Sequence, residues 1–348
     1  MKKILLSLCF LIFIFNNNIY AKGVGEIEGP YNKGDPVHEI LTSHALNKYK
    51  SSAFKKDFKK YKPSNYEYIR GVIWNDDPQA LFFNTDSNSN SNWSSGVIWL
   101  QEYCGAFKST LDNEKLIFDA KDLTKRSHFG DLQFFHAMAS VDGETASTTK
   151  NNIFNWLSFL YLVIDSEEIT KNTEISKITH PIVNQYFSQS NGLTMKELFG
   201  AKGYSNINIK KRAIGSFLHV IQDSYFPGHV SRKNVGGEIK EFLSYSNQDV
   251  KAHGNKDTWD VSYKDRVMHG NSNSYLVQTL PQYERIIQVT NKLLQKINPE
   301  NKKDRKSWEE IQQYLDANVF NTISKPNDSS SGQKFKLKKK KKLPYYCI

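Results

Sequence analysis

His219 and Asp223 stand four residues apart in Ala213-Ile-Gly-Ser-Phe-Leu-His-Val-Ile-Gln-Asp-Ser-Tyr-Phe-Pro-Gly-His-Val230, a stretch whose apolar positions recur with a helical period. On a helix both side chains leave the same face, one turn apart. Pro227 and Gly228 stop that helix and turn the chain so that His229 returns toward them. Imidazole nitrogen and carboxylate oxygen are the ligands that a borderline ion such as Zn²⁺ accepts. The same His/Asp pair could also be a buried hydrogen-bonded pair with no metal. The third residue, and a second pair at the same spacing in His253-Gly-Asn-Lys-Asp257, favour the ion.

Other histidines and acids extend the set. His38 and Glu39 fall near a helix start, Asp76 and Asp77 follow Trp74, and His128 stands in Arg126-Ser-His-Phe-Gly-Asp131. Such a group holds too many ligands for one tetrahedral zinc and too few cysteines for a structural finger. Two or three ions sharing a bridging carboxylate would use it. Ions about 3.5–4 Å apart clamp the attacking and leaving oxygens of a phosphoryl displacement and generate hydroxide at neutral pH, so phosphoester hydrolysis is the natural chemistry. His44, His136, His180 and His269 fit none of these blocks and are expected to be surface or structural. Glu39 reads as a helix-start charge rather than a ligand. Trp74, Phe129, Phe134, Phe135, Tyr225 and Phe226 suit a core, some of them walling a cleft.

Helices must position these residues. Asp35-Pro36 opens one that runs to Leu46. Tyr66–Trp74, Gly96–Phe107, Thr149–Asp165, Pro181–Gln189, Lys210–Tyr225, Ile239–Tyr245, Tyr275–Ile297 and Ser307–Phe320 have helical patterns, and Phe83–Ser95 reads as a polar loop. Alternating strand-type runs are few. An all-α, single multi-helix domain over residues 22–322 is expected, followed by a disordered basic tail over 323–348.

Met1-Lys-Lys3, the apolar run Ile4–Phe15 and the small Ala21 have the form of a secretory signal peptide over residues 1–21, which implies a secreted or periplasmic protein. Cys9 lies within it, so Cys104 and Cys347 allow at most one disulfide. The net charge of +11 is concentrated in part at Lys334–Lys342, a run suited either to solvent or to an anionic lipid or nucleic-acid surface.

The ordered set resembles the zinc-dependent phospholipase C and S1/P1 nuclease superfamily: His219-x3-Asp223-x5-His229, then His253-x3-Asp257, preceded by Asp76 after an aromatic helix end and by Ser127-His128-Phe129. The resemblance spans Trp74 to Asp257, with His38 as a further block. It implies a multi-helix fold of that type and a zinc held by Asp76, His128, His219 and Asp223. It implies a second zinc on His229, His253 and Asp257, and a third on His38 with Asp223 as bridge. Asp76 would orient the attacking water as the catalytic residue, with Asp77 one register away. In that family an N-terminal Trp caps the third ion, whereas cleavage here leaves Lys22 or Gly23, so the count is two or three zincs. The expected activity is that of a secreted phospholipase C, a phosphoric diester hydrolase acting at a phospholipid membrane surface to give diacylglycerol and phosphorylated headgroup. A nuclease or 3′-nucleotidase acting on nucleic acid is the alternative, Asp257 being more nuclease-like than a Glu. An inactive, zinc-stabilised membrane-binding protein is the third.

Overall fold

A computed structural model of the chain describes residues 37–46, 63–78, 122–190, 192–200, 207–226, 228–244, 282–298 and 302–330. Its helices are α1 (Val37–Ala45), α2 (Pro63–Trp74), α3 (Leu123–Phe129), α4 (Ala146–Asp165), α5 (Met195–Phe199), α6 (Ile209–Asp223), α7 (Tyr283–Ile297) and α8 (Trp308–Asn318), and a hairpin of β1 (Val230–Arg232) and β2 (Ile239–Phe242) follows α6. A 3₁₀ turn, Gln133–His136, lies between α3 and α4. The described chain is mostly helical with one small two-stranded sheet.

Helix α6 is the axis of the core. Asn208 caps its start by accepting from the Lys211 amide, and from Arg212 to Asp223 every residue is buried. A helix buried on all sides needs neighbours on all sides. α2, α4 and α1 supply them. The approach of α2 is closest where Gly71 meets Gly215. A Cβ built on Gly71 would fall 2.7 Å from Arg212 Cα, and one on Gly215 would fall 2.6 Å from the Gly71 carbonyl carbon. Glycine in mid-helix costs about 1 kcal/mol against alanine, so two facing glycines are explained by the backbone contact they permit. At the start of α6, buried Arg212 donates to Glu67 of α2 (2.7 Å) and to the Phe199 carbonyl (2.6 Å), fixing the register of the crossing.

Trp156 of α4 is fully buried and stacks between Trp74 (5.8 Å) and Phe159 (5.4 Å), with Phe135 at 4.3 Å. This aromatic layer joins α4, the end of α2 and the 3₁₀ turn. Farther from the core, α8 begins with a full capping box: Ser307 accepts from the Glu310 amide, and Glu310 reaches back to the Ser307 amide. Ser307→Ala is expected to cost about 1 kcal/mol in a urea unfolding experiment.

Two expectations are corrected. Residues 239–245 had a helical pattern, but Ile239–Phe242 is a strand, antiparallel to β1 with Val230 opposite Phe242. Ile239 and Phe242 face inward, and the intervening Lys240 and Glu241 lie outward. Three-residue apolar spacing fits either form, and pairing with the chain leaving His229 decides it. The packed chain also continues past 322. Ile323 donates to Ile239, Asn327 to Lys240 and Ser244 to Ser330, so residues 321–330 run as a strap along β2. Ser329 is buried and clasps the loop after the 3₁₀ turn: its hydroxyl donates to the Val141 carbonyl and accepts from the Glu144 amide.

The segment 1–21, the three cysteines, the loop Phe83–Ser95, the Gly96–Phe107 pattern, His253, Asp257, His269 and the lysine run lie outside the described residues. Among the described residues no helix is long and apolar enough to cross a membrane.

Candidate metal centre

The last turn of α6 delivers Asp223 to the middle of a ring of imidazoles. His219 Nε2 lies 2.8 Å from Asp223 Oδ2, His136 Nδ1 3.0 Å and His229 Nδ1 3.4 Å, and His38 Nε2 is 3.2 Å from Oδ1. Asp76 approaches from the end of α2, its Oδ1 3.6 Å from His219 Nε2 and 3.8 Å from His136 Nδ1. Two groups of potential ligands result, His38/His219/Asp223 and Asp76/His136/His219, each with its donor atoms within 4.8 Å of one another. All of these side chains are buried. Buried His/Asp groups able to hold a metal ion are therefore present.

Each ligand is aimed by a different element. His219 sits on α6 and its Nδ1 donates to the Val72 carbonyl of α2 at 2.6 Å. His38 is on α1 and its Nδ1 lies 2.7 Å from Gln222 Oε1. Asp76 follows α2 in a turn held by Asn75, whose side-chain amide donates to the Phe135 carbonyl at 2.6 Å. That bond ties Asp76 to the 3₁₀ turn carrying His136. The turn ends at Ala137, in the left-handed region at φ 55°, a non-glycine conformation that costs about 1–2 kcal/mol. The strain turns the chain sharply so that Ala139 donates to the Leu243 carbonyl, while Leu243 donates to the His229 carbonyl. The hairpin thus braces His229 and the His136 turn against each other.

The protonation pattern decides what the ring can do. A carbonyl can only accept, so Nδ1 of His219 carries its proton and Nε2 presents a lone pair. Burial pushes the His219 pKa down to about 3, so this imidazole is neutral. Burial would raise Asp223, but His219, His229 and His38, with the hydrogen bond from His136, together hold it well below the ordinary carboxylate value. A lone pair and a carboxylate oxygen then face each other at 2.8 Å. Asp223 Oδ1 accepts no hydrogen bond among the described residues although it is buried. His136 Nδ1 lies 3.0 Å from Asp223 Oδ2 and 3.2 Å from His219 Nε2, so either its proton or a cation satisfies the contact. A single proton would serve one contact, whereas His38 and His219 address the two oxygens of the same carboxylate from separate helices. The donor set fits a metal ion, and the Nδ1-to-acceptor bonds are those of metal-ligating histidines.

Of the residues singled out in the sequence, His38, Asp76, His219, Asp223 and His229 converge. It is Asp76, not Asp77, whose carboxylate joins a candidate group. His128 does not join either group. It lies in the last turn of α3 with Nδ1 at 2.9 Å from the Thr124 carbonyl, and its ring is 4.9 Å from that of His136. His136, expected to be structural, takes the place beside Asp76 and His219. The clue was Gln133-Phe-Phe-His136, a second aromatic-flanked histidine just downstream of the first. Glu39, expected as a helix-start charge, stands in the first turn of α1 and is fully buried. His180 is structural, accepting from the Ile182 amide and contacting Ser158 Oγ at 2.9 Å.

No protein-family model, curated protein or solved structure matches this chain.

Proposed function

We propose that this protein is an exported zinc-dependent phosphodiesterase of the phospholipase C and S1/P1 nuclease type, acting as a phospholipase C. The observation that carries it is Asp223: one buried carboxylate addressed on Oδ1 by His38 and on Oδ2 by His219, His136 and His229, which is the disposition of a bridging ligand. Asp76, His136 and His219 would hold one zinc, and His38 and Asp223 offer a second position, the single Nε2 lone pair of His219 serving one ion at a time. His229 would serve a further ion together with His253 and Asp257, as the family resemblance implies. Zinc bound there supplies Lewis acidity toward phosphoryl oxygens and makes water acidic enough to ionise near neutral pH.

The chain's own residues do the rest. Asp76 stands at the edge of the ring, 3.6 Å from His219, and is the group to orient the attacking water and accept its proton. The Nδ1 bonds of His219 and His38 keep their rings fixed, so no reorganisation is needed when charge develops on the phosphate. The lysine run at the C-terminal end suits the anionic surface of a lipid bilayer.

A nuclease is the second reading, favoured by the +11 charge, which attracts phosphate backbones equally well. Purified protein incubated with phosphatidylcholine vesicles is expected to release phosphocholine and diacylglycerol, to stop with a chelator and to resume with Zn²⁺. Nucleotide release from single-stranded DNA, without phosphocholine, would move the assignment to the nuclease. Inactivity on both substrates, with no zinc retained, would end the enzyme reading.

A further inference from the structure

The polar residue next to the central carboxylate has no part in the ring itself. Gln222 is fully buried in the last turn of α6. Its Oε1 lies 2.7 Å from His38 Nδ1, and its Nε2 donates to Thr42 Oγ1 at 2.9 Å. His38 and Thr42 are one turn apart on α1, so both ends of one amide are clamped by the same helix face. In the structure the amide nitrogen faces Thr42 and the amide oxygen faces the imidazole.

We propose that Gln222 is a positioning residue of the metal centre, which fixes the tautomer and ring angle of His38 so that Nε2, rather than Nδ1, faces Asp223. A buried imidazole can place its single proton on either nitrogen, and the partner of the other nitrogen decides which. With Oε1 accepting, the proton stays on Nδ1, and the Nε2 lone pair points at Oδ1, 3.2 Å away. Without the acceptor, the proton is drawn to Nε2, where it forms a hydrogen bond to Asp223 and removes the lone pair an ion needs. His219 gets the same service from a backbone carbonyl, and the stack of the two rings, 4.1 Å between centroids, lets one rigid ring support the other. Gln222 is the one such support of the pair that a side-chain substitution can delete.

The inference rests on the zinc reading, and its test separates the two. Zn²⁺ affinity is measured by competition with a chromophoric chelator for the full chain, for Gln222→Met, for Gln222→Glu, and for Gln222→Met combined with His38→Ala. Outer partners of metal-bound histidines are worth about 10–100-fold in affinity, so Gln222→Met should lose that much. Gln222→Glu keeps an acceptor at Nδ1 and should stay within about threefold of the native chain, well inside that range. Beside His38→Ala, Gln222→Met should cost nothing further. Native affinity in Gln222→Met, or an equal loss with and without His38, overturns the proposal. ¹⁵N shifts of the His38 ring in the metal-free chain give a second readout. They should show Nδ1 protonated in the native protein and in Gln222→Glu, with the proton moved to Nε2 in Gln222→Met. If the ring shifts respond so while the native chain binds no zinc, the positioning role stands and the zinc reading falls. If they do not respond, the positioning role falls whatever the chain binds.

Discussion

Asp223→Asn is expected to release bound zinc and to lower phosphodiesterase activity by at least about a hundredfold, the upper range already seen when mere supporting residues of a metal site are changed. Shape is preserved and charge is lost. One end of the new amide can only donate, and it opposes a cation either beside His219, at 2.8 Å, or beside His38, at 3.2 Å. In the metal-free fold the substitution removes the contacts by which the surrounding imidazoles hold Asp223 ionised, so that fold should loosen as well. What also disappears is the part of the stability that zinc adds, about 2.7 kcal/mol at a hundredfold excess over the dissociation constant. Elemental analysis, vesicle hydrolysis and melting with and without Zn²⁺ read the three consequences. Native zinc content with full activity in Asp223→Asn would remove the bridging role.

Gly215→Ala should be the most damaging small substitution in the helical core. The added methyl falls 2.5 Å from the Val72 amide nitrogen and 2.6 Å from the Gly71 carbonyl carbon, both backbone atoms within α2. Neither can move without the helix. Alanine's better helix propensity returns about 1 kcal/mol, but separating two packed helices belongs at the top of the overpacking range, so a net loss of about 3 kcal/mol or more is expected. Gly71→Ala, which meets Arg212 Cα at 2.7 Å, should behave alike. The damage also reaches the metal centre. Val72, next to the crossing, supplies the carbonyl that holds His219, and α2 ends at the turn bearing Asp76. Zinc affinity should therefore fall together with the urea midpoint. Unchanged stability in either variant would show that the crossing is looser than the close glycine contacts require.

Half of the centre was legible because it is local. His219 and Asp223 are related by helix geometry alone, and the Pro227-Gly228 break announces the return of His229. His136 was not, because its one local mark, the flanking Phe134 and Phe135, suits a core as well as a site. It enters through a 3₁₀ turn, a left-handed alanine and an amide bond from Asn75, and two of those three are invisible without the tertiary fold. His128, with the more suggestive Ser-His-Phe context, joins neither candidate group, its ring 4.9 Å from that of His136. β2 was misread for a similar reason: Ile-Lys-Glu-Phe carries apolar residues at a spacing both structures accept, and the partner strand begins at Val230, just past His229. Gln222 passes for an ordinary polar helix residue until α1 is docked against it.

The strap along β2 and the ring of imidazoles share a property that bears on how the molecule comes into being. Ser329 meets Glu144 across 185 residues, His38 meets Gln222 across 184, and His136 meets Asp223 across 87. Contacts so distant in sequence make for slow self-assembly. They also leave a newly made, still unfolded polypeptide with nothing to chelate beyond isolated imidazoles. The whole energy of ion capture then accrues to the finished shape. On the zinc reading, such a chain would collect its cations last, once the distant segments have met.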